Sequence, residues 1–88
     1  MNNLKNFKLK TYGIKEISEI IQDVAFELGY SWNQDKNYLN NDTIQQIFLY
    51  ENGTMTYLSS HYEEYFNIHM NKEITFEELI DIYLESLC

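Results

Sequence analysis

The sequence predicts an α+β fold, a small antiparallel sheet with a central hairpin and two amphipathic helices packed on one of its faces. Three observations carry that expectation. Residues 14–28 and 76–87 repeat apolar side chains at the three- and four-residue spacing of a helix, residues 5–10 alternate as a strand does, and Asn52-Gly53 parts two apolar runs as a hairpin turn does. At 88 residues the chain is long enough for one hydrophobic core and too short for two, so residues 1–88 are read as a single domain.

Taken in order, residues 5–10 place Phe7 and Leu9 on one face and lysines on the other, the pattern of a half-buried strand. Its outward lysines suit the edge of a sheet. After Gly13 the period changes, and Ile14, Ile17, Ile20, Ile21, Val24, Ala25 and Leu28 form the stripe of a helix of about four turns. Gly29 follows directly, where a left-handed residue closes a helix.

Residues 30–43 begin with alternating aromatics and then fill with Asn and Asp, so a short strand and a loop are expected. In the hairpin of 44–50 and 54–59, a two-residue Asn52-Gly53 turn sets Tyr50 opposite Met55 and Phe48 opposite Tyr57, with Leu49 opposite Thr56 and Ile47 opposite Leu58. Both faces would then be apolar. Ile47, Leu49 and Leu58 would take the helices, leaving Phe48, Tyr50, Met55 and Tyr57 for an oligomer or partner interface, unless loop 33–43 folds over them or the two faces are exchanged.

Residues 60–66 resemble one helical turn, with Ser60 and Glu63 spaced as a capping box. Ile74 fits a short extended segment. Thr75 and Glu78 form a clear capping box opening the second helix, which buries Phe76, Leu79, Ile80, Tyr83, Leu84 and Leu87 and carries Glu77, Glu78, Asp81 and Glu85 outside.

Charge narrows the function. The net charge is −8; four of six lysines lie in the first fifteen residues, and from residue 16 onward two positive charges face fourteen negative ones, or −12. Such a field repels a phosphate backbone and attracts basic surfaces, so direct nucleic-acid binding is disfavoured. The one cysteine, Cys88, fits a reducing compartment. With no leader pattern and no run of roughly 20 apolar residues, no membrane association is expected, and the expected location is the cytoplasm.

Enzyme templates fail. There is no glycine-rich phosphate loop, no GxSxG and no HExxH, so no catalytic residue, metal or cofactor is assigned. His61, Glu64 and His69 could converge around the short turn, but their spacing matches no standard zinc pattern and surface histidines explain them as well. Tyr30, Trp32 and Tyr38, interleaved with Ser31 and several Asn, supply stacking planes for a nucleobase, and Lys36 could meet a phosphate. The plain alternative is that Tyr30 and Trp32 are core residues of a strand.

Finally, Phe26-Glu-Leu-Gly-Tyr-Ser-Trp32, Phe48-Leu-Tyr, Asn52-Gly-Thr-Met-Thr-Tyr57, Tyr65-Phe-Asn-Ile-His69 and Lys72-Glu-Ile-Thr-Phe-Glu-Glu-Leu79 resemble a diffuse group of small phage and prophage accessory proteins. The resemblance spans roughly residues 16–80 and implies origin rather than chemistry. It points to a phage of a low-GC Gram-positive host and to action in the host cytoplasm. In that setting the loop aromatics with the second apolar sheet face, and the −12 stretch, give two expected functions, the first preferred and the second its alternative. One is a homo-oligomer that sequesters a nucleotide-derived immune signal through Tyr30, Trp32, Lys36 and Tyr38. The other is an acidic inhibitor, akin to anti-CRISPR proteins, that sets Glu77, Glu78, Asp81 and Glu85 against a basic host defence protein.

Overall fold

The computed structural model describes residues 4–32, 39, 43–60 and 62–87. They form β1 (Phe7–Lys10), α1 (Lys15–Leu28), β2 (Gln46–Leu49), β3 (Met55–Leu58), α2 (Glu63–Ile68), β4 (Lys72–Glu73) and α3 (Phe76–Ser86). The four strands make one sheet in the order β3-β2-β1-β4, antiparallel except for the parallel β1–β4 pair. The expected α+β architecture is present, and the two long helices share one face of the sheet.

That face is the core. Phe7 and Leu9 of β1 stand opposite Leu49 and Ile47 of β2, and they pack with Met55, with Ile21, Val24 and Ala25 of α1 and with Leu79 of α3. Leu9, Ile21, Ile47 and Leu79 are fully buried, a contribution of about 1.5–3 kcal/mol each. α1 buries Ile21, Val24 and Ala25 of the expected stripe while Ile20 and the preceding Ile14 stay exposed, and it stops at Gly29, whose φ of 115° turns the next N–H, that of Tyr30, back to the Ala25 carbonyl.

Three expectations are overturned. First, the hairpin loop holds three residues, not two. The Tyr50 carbonyl accepts from Gly53 N–H and the Tyr50 N–H donates to Thr54, at 2.8 and 2.9 Å, with Gly53 left-handed at φ 91°. This is the three-residue loop in which the last residue takes the positive φ. The register therefore slips by one: Leu49 meets Met55, Phe48 meets Thr56 and Ile47 meets Tyr57. Because side chains alternate, the slip sends Met55 and Tyr57 to the helix face with Ile47 and Leu49, and Leu58 to the opposite face, where Phe48 stays. The set Phe48, Tyr50, Met55 and Tyr57 does not share a surface.

Second, β1 is an inner strand and Lys8 is buried, at 5% exposure. Third, the opposite face is roofed by a helix of its own. α2 seats Phe66, which is fully buried, beside Phe48. Its N-cap is Tyr62 with no side-chain cap, so the Ser60–Glu63 capping box does not form.

Lys8 explains how so short a helix holds. Its ammonium donates to the carbonyls of Phe66, Asn67 and His69 at the C-terminal end of α2, where helix carbonyls lack internal partners and the dipole is negative. Lys10 adds an ion pair with Glu63 at 2.9 Å, which holds the Lys10 ammonium above its ordinary value.

Candidate functional site

Thr75 starts α3 at a defined residue and so fixes where its carboxylates stand. The Thr75 hydroxyl accepts from the Glu78 N–H at 3.0 Å and the Glu78 carboxylate accepts from the Thr75 N–H at 2.8 Å. Leu79 is buried and Phe76, Ile80, Ile82 and Tyr83 are partly buried against the core, while Leu84 and Leu87, expected to be buried, are exposed and share the outer side of the helix with Glu77, Glu78, Asp81 and Glu85. The four residues predicted as an acidic face do lie on the surface of one helix.

Their structural uses differ. Glu77 and Glu78 sit in the first turn, where negative charge favours the helix. Glu85 sits in the last turn, which holds no basic residue, and there a carboxylate opposes the dipole. Asp81 and Glu85 take part in no ion pair among the described residues. Local stability accounts for the first pair and not for the second.

Beside this face lies an open cleft of about 630 Å³ between the N-terminal segment, β4 and α3. Its apolar lining comes from Leu4, Phe7, Leu28, Ile74 and Ile82. Glu78, Asp81 and Glu85 of α3 line it too, as do Lys5 and Lys72, and among the described residues no ion pair joins those lysines to those carboxylates. Tyr30 also borders the cleft and anchors its N-terminal side, donating to the Lys5 carbonyl at 2.6 Å and accepting from the Lys5 N–H at 3.2 Å. Burial pushes the Tyr30 phenol up, against the lowering effect of the Lys5 backbone bond.

The residues predicted to stack on a base are placed differently from one another. Tyr30 is 2% exposed and Trp32 8%, and Trp32 packs edge-on against Tyr57 with ring centroids 5.6 Å apart. Neither ring presents an open face for stacking, and both join the core, as the strand alternative had it. Lys36, Tyr38 and His61 lie outside the described residues.

His69 faces the second apolar layer. Its ring lies over Phe48 at 4.4 Å and near Tyr65 at 5.6 Å. The Asn71 N–H donates to Nδ1 at 3.2 Å, so Nε2 carries the proton and donates to the Tyr50 hydroxyl at 3.2 Å. Burial, and secondarily the charge of Lys8, lowers its pKa. Both nitrogens thus serve the packing of α2, and no cluster of three metal-ligating side chains occurs among the described residues.

Sequence reasoning missed Lys8 and the cleft. Alternation alone sends Lys8 to solvent, and the carbonyls that bind it come from residues 58 to 61 positions later. No family model matches the chain, and no curated protein or solved structure matches it significantly.

Proposed function

We propose that the chain is a non-catalytic binding protein of the phage counter-defence kind, which sets the outer side of α3 against a basic surface of a host defence protein. The observation that carries this reading is Glu85 with Asp81: exposed, without an ion pair among the described residues, and in the case of Glu85 placed against the helix dipole. A net charge of −8 adds a field that draws basic partners in and speeds encounter. The phage-type resemblance supports the biological setting. The test is capture from a lysate of a low-GC Gram-positive host by the immobilised protein. A basic protein that is released by moderate salt, and is not retained by the Asp81→Lys, Glu85→Lys variant, supports the reading. Equal retention by the variant rejects it.

A second reading, sequestration of a nucleotide-derived signal by a homo-oligomer, keeps one favourable observation. Tyr30 borders a cleft that also holds Lys5 and Lys72, which are free of ion pairs among the described residues. In that reading the lysines meet phosphate, and a discrete nucleotide-sized mass gained from infected-cell extract, lost in Lys5→Ala, Lys72→Ala, is the expected result.

A further inference from the structure

The acidic residues of α3 border an apolar groove, and the groove says more about the partner than the charges do. Leu4, Leu28 and Ile82 are only partly buried, and above the buried Phe7 and Ile74 they give the cleft an apolar lining. Removing such surface from water is worth about 25 cal/mol per Å². At about 630 Å³ the space exceeds what one side chain fills and falls in the range of sites that engulf a ligand or a row of side chains.

The charges bordering it have a direction. Glu78, Asp81 and Glu85 follow one another along α3, and residues 78 and 85 are about 10 Å apart along its axis. Glu78 holds the helix start, which leaves Asp81 and Glu85 free to bind. Lys5 and Lys72 come from the N-terminal segment and β4. An apolar floor with carboxylates from one element and ammoniums from others, unpaired among themselves, is the complement of an amphipathic helix. Such a helix carries an apolar stripe at i, i+3, i+4 and i+7, and its flanking rows can be basic on one side and acidic or polar on the other.

We propose that this groove receives an amphipathic helical segment of the partner protein, with its apolar stripe on Leu4, Leu28 and Ile82 and a row of Arg or Lys on Asp81 and Glu85. The inference rests on the acidic-face reading and names the part of the partner that the face would hold. The helix-in-groove mode suits it, because apolar contact supplies affinity while the flanking charges fix which helix fits.

The experiment uses the full chain and three synthetic 15-residue helical peptides. One has a Leu stripe flanked by Arg and Glu rows, one has the same stripe flanked by Glu on both sides, and one has the Arg and Glu rows with Ser in place of Leu. The first should bind and shift the amide resonances of Leu28, Ile74 and Ile82, and the other two should bind at least tenfold more weakly. Asp81→Asn with Glu85→Gln, changes at exposed positions that leave the core intact, should weaken the first peptide about tenfold. Equal binding of the all-Glu peptide, or shifts confined to Tyr62 and Tyr65 on α2, overturns the groove. So does protection of the groove amides by a second copy of the chain, or by AMP at comparable affinity. A host protein captured through Asp81 and Glu85 but not displaced by the first peptide overturns the groove and leaves the acidic face standing. Loss of charge-dependent capture removes the acidic face itself.

Discussion

Two residues are held by conflicting demands, and each makes a measurable prediction. His69 sits neutral between Phe48, Tyr50 and Tyr65 and near Lys8, with its pKa lowered by burial. The unfolded chain takes up a proton on this histidine near its ordinary value of about 6.5, and the native chain does so only at lower pH. Stability is therefore unaffected well above that value, falls as pH drops below about 6.5, and levels off once the native imidazole is also charged. Urea midpoints measured between neutral and mildly acid pH should show this fall in the wild type, and His69→Phe should lack that component. If the variant shows the same fall, other groups cause it.

Glu85 makes the opposite kind of case. Replacing a last-turn carboxylate with a cation should favour the helix by about 0.3–1 kcal/mol. Glu85→Lys is thus expected to melt slightly higher than the wild type while binding its partner less well. A variant that is both less stable and fully competent would mean that Glu85 has a structural partner.

At the scale of elements, what was legible followed from local periodicity and what was not followed from distant contacts. The Ile21, Val24 and Ala25 part of the α1 stripe, its stop at Gly29 and the Thr75–Glu78 box are local chemistry, and each appears where the spacing puts it. The hairpin was legible as a hairpin, but its register was not. Asn-Gly favours a two-residue turn, yet here Glu51 joins the loop, where its backbone N–H donates to the Asn6 side chain at 2.7 Å, and Asn52 accepts from Thr54. One residue in the loop moved Met55 and Tyr57 to the helix face and parted them from Phe48. Gly53→Ala tests the arrangement. An added Cβ would meet the Gly29 carbonyl at an ordinary 3.6 Å, so the cost is that of a positive φ, about 1–2 kcal/mol. The denaturation midpoint should fall with an unchanged slope. No loss would show that the loop can adopt another register. The roof of the second face depends in the same way on a single distant residue. Lys8→Met keeps the aliphatic stem but strips the α2 carbonyls of their donor, at a cost of about 1–3 kcal/mol, and should raise amide exchange in α2 more than in α1.

For the whole molecule, charge sets the terms on which it meets anything else. At −8, with two ion pairs among the described residues, self-repulsion works against the compact state. Added salt screens it over a Debye length of about 10 Å at 0.1 M. The melting temperature should therefore rise from low to moderate salt while affinity for a basic partner declines. Parallel trends in stability and affinity would mean that the acidic surface is not what the partner reads. Composition alone announced this behaviour. The cleft was not announced, because its lining joins the N-terminal segment, the end of α1, β4 and α3, four stretches that no sequence pattern links.

The strand order β3-β2-β1-β4 also bears on how the chain comes into being. β1 needs β2 on one side and β4 on the other, and its second neighbour is more than sixty residues further on. While the ribosome is still adding the middle of the chain, β1 has helix α1 for company and no complete sheet to join. Long-range pairings of this kind slow folding. The sheet can close only once β4 has emerged. Until then β1 keeps one edge without a strand partner, and the acidic stretch after residue 15 sets like charge between any two chains that approach one another through that edge.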